Sequence, residues 1–92
     1  MIRHMIIRLN KDADPKEMYE KMTELFKDAS AIEGVRKAEV YISNHDLKQS
    51  YDLMVRIHMK KSALKDFENS SLYATWKRDF DPYISKVTVF DC

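Results

Sequence analysis

The segment Tyr51-Asp52-Leu53-Met54-Val55-Arg56-Ile57-His58-Met59 decides the fold. Tyr51, Leu53, Val55, Ile57 and Met59 form one apolar set, and Asp52, Met54, Arg56 and His58 form a mixed one. A period of two sends alternate side chains to opposite faces of an extended chain. The segment therefore reads as a strand with one face for a core and one face of mixed character.

Before it, the polar run from Ser43 to Gln49 reads as a hairpin loop, and residues 35–42 as the partner strand. Gly34, the only glycine, is expected to take a left-handed conformation where a helical connection ends. That helix is marked by Met18, Met22, Leu25, Ala29 and Ile32, which share one helical stripe. Tyr19 and Phe26 widen the stripe, while Lys16, Glu20, Lys21, Glu24 and Lys27 take the water side. Asp14 is placed to cap the helix, Pro15 suits its first position, and Glu17 follows at capping-box spacing. Residues 2–9 form another strand, with Met5, Ile7 and Leu9 on one face and Ile2, His4, Ile6 and Arg8 on the other.

After the opening segment, Ser62 is placed to cap a second helical region with Ala63, Leu64 and Phe67 on its apolar side. Asn69-Ser70-Ser71 interrupts that region, and Ser71 is placed to cap a new turn. Leu72, Tyr73, Trp76, Phe80 and Tyr83 continue at helical spacing until Asp81-Pro82 closes the helix. Residues 84–91 are the last strand, with Val87 and Val89 opposite Thr88 and Phe90. The order β-α-β-β-α-β is the split βαβ, or ferredoxin-like, arrangement. Right-handed crossovers put both helices on one face of a four-stranded antiparallel sheet. The expectation is an α+β domain spanning residues 1–92, whose part-apolar other sheet face is covered by a second copy because a chain this short builds only a modest core; a monomer with that face solvated is the alternative.

Composition narrows the partners. Sixteen basic residues against fifteen acidic ones leave a formal charge of +1, so no basic field exists to attract nucleic acid or an anionic membrane. Cys92 is the single cysteine, which rules out an intrachain disulfide and suits a reducing compartment. Residues 1–9 are too short and too charged for a signal peptide, and no apolar run approaches the ~20 residues of a membrane span, so a cytoplasmic location is expected. His45 in the polar loop and His58 near a strand end are isolated, and no histidine pair shows ligand spacing, so neither metal nor cofactor is expected. One glycine leaves no room for a phosphate loop or a nucleophile elbow. Asp52 and Arg56 are expected to pair at the surface or at an interface.

Four local patterns fall in the order seen in the stress-responsive A/B barrel (Dabb) family of dimeric α+β barrel proteins. They are Met1-Ile2-Arg3-His4-Met5-Ile6-Ile7; Ile32-Glu33-Gly34-Val35; Tyr51-Asp52-Leu53; and Asp81-Pro82-Tyr83-Ile84 followed by Val87-Thr88-Val89-Phe90-Asp91. The chain resembles that family over nearly its whole length. The resemblance implies a homodimer whose sheets pack into a barrel, with a cavity near the sheet and helices of each subunit. Most members have no assigned reaction, and a few cyclise polyketides. The cyclase-type members use a histidine that ends a His-Pro-x-His stretch, with a tyrosine nearby. Here the stretch reads Ser70-Ser71-Leu72-Tyr73, and Phe67 stands at the tyrosine position. A phenol with an ordinary pKa near ~10 is a poor general base at neutral pH, so no catalytic residue is assigned.

The resulting expectation is a dimeric barrel protein that binds a small apolar or aromatic ligand between sheet and helices. His4, Tyr73, Phe67, Trp76, Met22 and Leu25 are its candidate lining. Each also reads as ordinary packing: a structural histidine on a half-apolar strand, and aromatic or methionine side chains filling a core. Two alternatives stand beside it. One is a cyclase-like lyase or other cofactor-free enzyme, with His4 orienting the substrate and Tyr73 donating a proton. The other is a purely structural dimerisation module.

Overall fold

Strand β1 (Ile2–Leu9) runs through the interior of a four-stranded sheet in the computed structural model, which describes residues 1–44 and 51–92. The expected hairpin loop, with His45, lies outside the described residues except for Ser43 and Asn44. Helix α1 (Pro15–Phe26) and a 3-10 turn (Ala29–Ala31) lead to β2 (Val35–Ile42). Strand β3 (Leu53–Met59), a 3-10 turn (Lys61–Ala63), α2 (Leu64–Glu68) and α3 (Ser71–Phe80) follow. A last 3-10 turn (Asp81–Tyr83) leads into β4 (Ile84–Asp91). The strand order is β2-β3-β1-β4 with every neighbouring pair antiparallel, which is the ferredoxin-like α+β arrangement expected from the element order.

The alternation in β1 and β3 translates directly into burial. Met5, Ile7 and Leu9 face Leu53, Val55, Ile57 and Met59 in one buried layer. Met18, Met22 and Phe26 of α1, Phe67 of α2, and Trp76 and Phe80 of α3 close over it. The aromatic side chains meet edge-on or tilted: Phe26 to Trp76 at 5.6 Å, Phe67 to Tyr73 at 5.4 Å, Trp76 to Phe80 at 5.4 Å. Such tilted arrangements suit the ring quadrupoles. Among the described residues no helix is long and apolar enough to cross a membrane.

Local signals were met with shifts of a residue or so. Asp14 caps α1 by accepting the Lys16 N–H, but Glu17 pairs with Lys21 at 2.9 Å instead of closing a capping box. The cap of α3 is Ser70, whose Oγ accepts the Tyr73 N–H, one residue earlier than Ser71. Ser62 caps nothing, because the chain enters a 3-10 turn at Lys61 before α2 begins. Tyr83 leaves the buried stripe of α3 and is 45% exposed, since the 3-10 turn around Pro82 changes the angular step per residue.

Two features pin the elements to one another. Gly34 has φ +86°, and its carbonyl accepts the Lys60 N–H at 2.8 Å. A Cβ built there would lie 2.6 Å from the Ala63 Cβ, so both dihedral and space demand glycine. Arg3 meets the Asp91 carboxylate through Nε and Nη2, each at 2.9 Å, and reaches Glu68 at 3.4 Å, tying β1, β4 and α2. That contact holds the Asp91 carboxyl below the usual range, through the hydrogen bond from Arg3 first and its charge second.

Gly34→Ala is expected to cost about 2–4 kcal/mol, combining left-handed strain with overpacking, as measured by urea unfolding. Adding Ala63→Gly removes the clash and should return part of that loss while the dihedral strain remains. Asp91 gives a pH dependence of defined sign. Its folded pKa is depressed, so its contribution is complete above the unfolded value of about 3.9 and fades as pH falls through the folded value. Urea midpoints from pH 7 down to about 2 should therefore fall more steeply below pH 4 for the natural chain than for Asp91→Asn.

Candidate functional site

The helices leave one sheet face uncovered, and the register writes that face as rows. One row crosses all four strands as Glu39–Arg56–His4–Phe90, and the next as Tyr41–Met54–Ile6–Thr88. The first row is polar and ends on an aromatic ring, whereas the second is an apolar band. Beyond the polar row lie Lys37, His58 and Ile2, and beyond the apolar band lie Arg8 and Lys86.

Within the polar row the charges do not simply pair across strands. Glu39 opposes Arg56, yet its oxygens are taken by His58 Nε2 at 2.8 Å and the Tyr41 hydroxyl at 2.9 Å. Those bonds lower the Glu39 pKa, that from His58 most. Arg56 Nε is buried with no hydrogen-bond partner among the described residues. A buried guanidinium donor without an acceptor is unfavourable. His4 Nδ1 lies 3.2 Å from the Phe90 carbonyl oxygen, with the two rings 6.0 Å apart.

The Tyr51-Asp52 pair has a structural role. The Tyr51 ring lies beside Arg8, 5.0 Å from ring centroid to guanidinium carbon, and its hydroxyl meets Thr88 Oγ1 at 3.0 Å. One side chain thus reaches from the start of β3 across β1 to β4. The Thr88 bond draws the Tyr51 phenol below its ordinary pKa, with the cationic Lys86 and Arg8 adding to it. Asp52 accepts the Leu9 N–H at 2.8 Å and donates its own N–H to Ile7 O at 2.8 Å. It therefore prolongs the β1–β3 ladder with a side chain. The contact expected between Asp52 and Arg56 is replaced by this backbone bond, because four residues of extended chain separate the two by about 13 Å even on a shared face.

The six candidate lining residues do not meet in one cavity. Met22 and Phe67 have no exposed surface and Trp76 is 3% exposed, so all three belong to the packed core. Tyr73 packs half-buried against Phe67, and Leu25 lines a separate cleft of about 400 Å³ between α1 and α3, with Ile32, Ser70 and Leu72. His4 lies on the opposite sheet face from all of these. Three of the six, Met22, Phe67 and Trp76, pack into the layer between sheet and helices, and no polar or charged residue is buried there among the described residues.

Comparison with known proteins places the fold. No family model matches the chain, and no curated protein matches it. Solved structures match over almost its full length. A dimeric ferredoxin-like protein of unknown function from Thermobifida fusca superposes with a TM-score of 0.77 at 16% identity, covering 97% of this chain and 86% of that one. A dimeric protein of unknown function from Bacteroides fragilis gives 0.75 at 12% identity, over 99% and 95% of the two chains. A Dabb family protein with a ferredoxin-like fold from Mesorhizobium loti gives 0.69 at 19% identity, over 99% and 93%. These likenesses establish the fold, and the Dabb structure among them agrees with the resemblance carried by the local motifs.

The backbone role of Asp52 separates it from a catalytic carboxylate. Asp52→Ala should cost about 1–3 kcal/mol by stranding the half-buried Leu9 N–H, whereas Asp52→Asn keeps an acceptor and should lose less than half of that. Chemical denaturation of the two variants measures the difference.

Proposed function

We propose that the protein works as a homodimer, with the uncovered face of its sheet and the edge strand β4 packed against a second copy. The observation that carries this reading is β4 itself. Phe90 is 59% exposed on the open face, while Val87 and Val89, 38% and 50% exposed, sit on the helix side beyond the reach of the helices. An exposed apolar edge strand tends to pair with or pack on another chain unless something covers it. The Tyr41–Met54–Ile6 band continues the same apolar surface inward. The dimeric state of the Thermobifida and Bacteroides proteins supports the same assembly here. The Arg56 Nε, unmatched among the described residues, would gain from an acceptor supplied by a second copy.

The packed core shifts the ligand-binding part of the reading. A molecule between sheet and helices would have to displace Met22, Phe67 or Trp76, each costing several kcal/mol of packing. We therefore read the core as structural and place any ligand contact at the surface.

Light scattering coupled to size exclusion should give twice the chain mass of 10.9 kDa at micromolar concentration. Ile6→Asp combined with Phe90→Asp should yield a folded monomer, with circular dichroism unchanged. A natural chain that stays monomeric at every concentration tested overturns the proposal.

A further inference from the structure

At the end of the sheet where β2 begins and β3 stops, the surface opens into a cleft of about 600 Å³. Its floor is apolar, made of Met1, Ile2, Val35 and Met59. Its polar lining is Arg36, His58 and Lys60, and among the described residues no carboxylate joins them. A volume of this order suits a small organic molecule.

The cations reach this place through an irregularity in the ladder. Val35 pairs with Met59, but the next paired residue of β2 is Lys37, opposite His58, so Arg36 is an extra residue in a bulge. A bulge re-aims a side chain that regular alternation would place elsewhere. Arg36 Nη2 comes within 3.5 Å of His58 Nδ1, whose ring offers its other nitrogen to Glu39 at 2.8 Å. A guanidinium only donates, so Nδ1 accepts and Nε2–H donates to Glu39. The imidazole is thereby a spacer: one nitrogen faces Arg36 at the cleft and the other engages the Glu39 carboxylate. Lys60 is fixed by its backbone, since its N–H bonds the carbonyl of Gly34, the residue just before β2.

We propose that this cleft binds a small apolar carboxylate, such as an aryl or medium-chain acid. Its carboxylate is taken by Arg36 and Lys60, and its apolar part lies on Met1, Ile2, Val35 and Met59. Arginine matches a carboxylate with two parallel donors, lysine supplies a second charge, and the floor supplies the hydrophobic contribution. The site uses no residue of the Tyr41–Met54–Ile6 band, but Ile2 and His58 lie at the end of the same open face, so the mass in solution and the benzoate titration are read separately.

The test is an amide-resolved NMR titration of the full chain with benzoate, and with benzyl alcohol as the uncharged counterpart. Benzoate should shift the Gly34, Met59 and Lys60 amides saturably, and benzyl alcohol should leave them nearly unmoved. Arg36→Gln and Lys60→Gln should each weaken benzoate binding about tenfold, and Arg36→Lys should fall between. Lys60 is exposed, so Lys60→Gln carries the test should Arg36→Gln disturb the bulge. Absence of saturable benzoate shifts at millimolar concentrations, equal binding of acid and alcohol, or natural affinity in a folded Lys60→Gln variant overturns the proposal.

Discussion

The register between β1 and β3 is the constraint from which the rest of the molecule follows. It lays Met5 against Val55 and Ile7 against Leu53, so that the two interior strands present one continuous apolar surface to the helices. A slip of one residue would turn every one of these side chains to the other face. The register is held at both ends by contacts outside the regular ladder: the Met59 N–H to the Met1 carbonyl at one end, and the Asp52 carboxylate on the Leu9 N–H at the other. With the core side fixed, the content of the open face is no longer free. Glu39, Arg56, His4 and Phe90 must fall in line, and so must Tyr41, Met54, Ile6 and Thr88.

Much of this was legible in the order of the residues. Alternation in residues 53–59 and 2–9 located the two interior strands and told which side chains are buried, because burial on one face is what the pattern encodes; Tyr51, expected with the apolar set, stays half-buried and reaches over Arg8 to Thr88 instead. Gly34 was legible too, since a lone glycine after a helix points to a left-handed residue. The caps of the second helical region were less so. Ser62, Ser70 and Ser71 are chemically equivalent candidates, and the choice among them depends on where a 3-10 turn intervenes, which is decided by packing rather than by side-chain type. The bulge at Arg36 left no trace in the sequence, for any residue can occupy the extra position and the partner strand decides the count.

The candidate site shows the same limit more sharply. Met22, Phe67 and Trp76 are the residue types that would line an apolar pocket, and they are also the types that fill one. Only the distance between helix layer and sheet distinguishes the two outcomes, and here the side chains meet with nothing between them. What sequence reasoning did not foresee lies on the other side of the sheet and at its end. The Arg56 Nε, unmatched among the described residues, the reach of Tyr51 over Arg8 to Thr88, and the grouping of Arg36, His58 and Lys60 all arise from pairing across strands. The one hint available was the mixed parity of residues 51–59, which marked a face neither apolar enough for a core nor polar enough for water alone.

The position of β1 has a consequence for how the chain comes to be folded. It is the first of the strands to leave the ribosome, yet it lies inside the sheet, between partners synthesised much later. Its contacts with Leu53–Met59 and then Ile84–Asp91 close loops spanning most of the sequence, and the Arg3–Asp91 contact links residues 88 apart. Pairings of such long separation must meet their loop-closure entropy before they contribute anything. An emerging Met5-Ile6-Ile7 segment therefore waits with both edges open until Leu53–Met59 is available, and with one edge open until Ile84–Asp91 follows. Among the elements of this fold, that segment is where a holding chaperone has the most to protect.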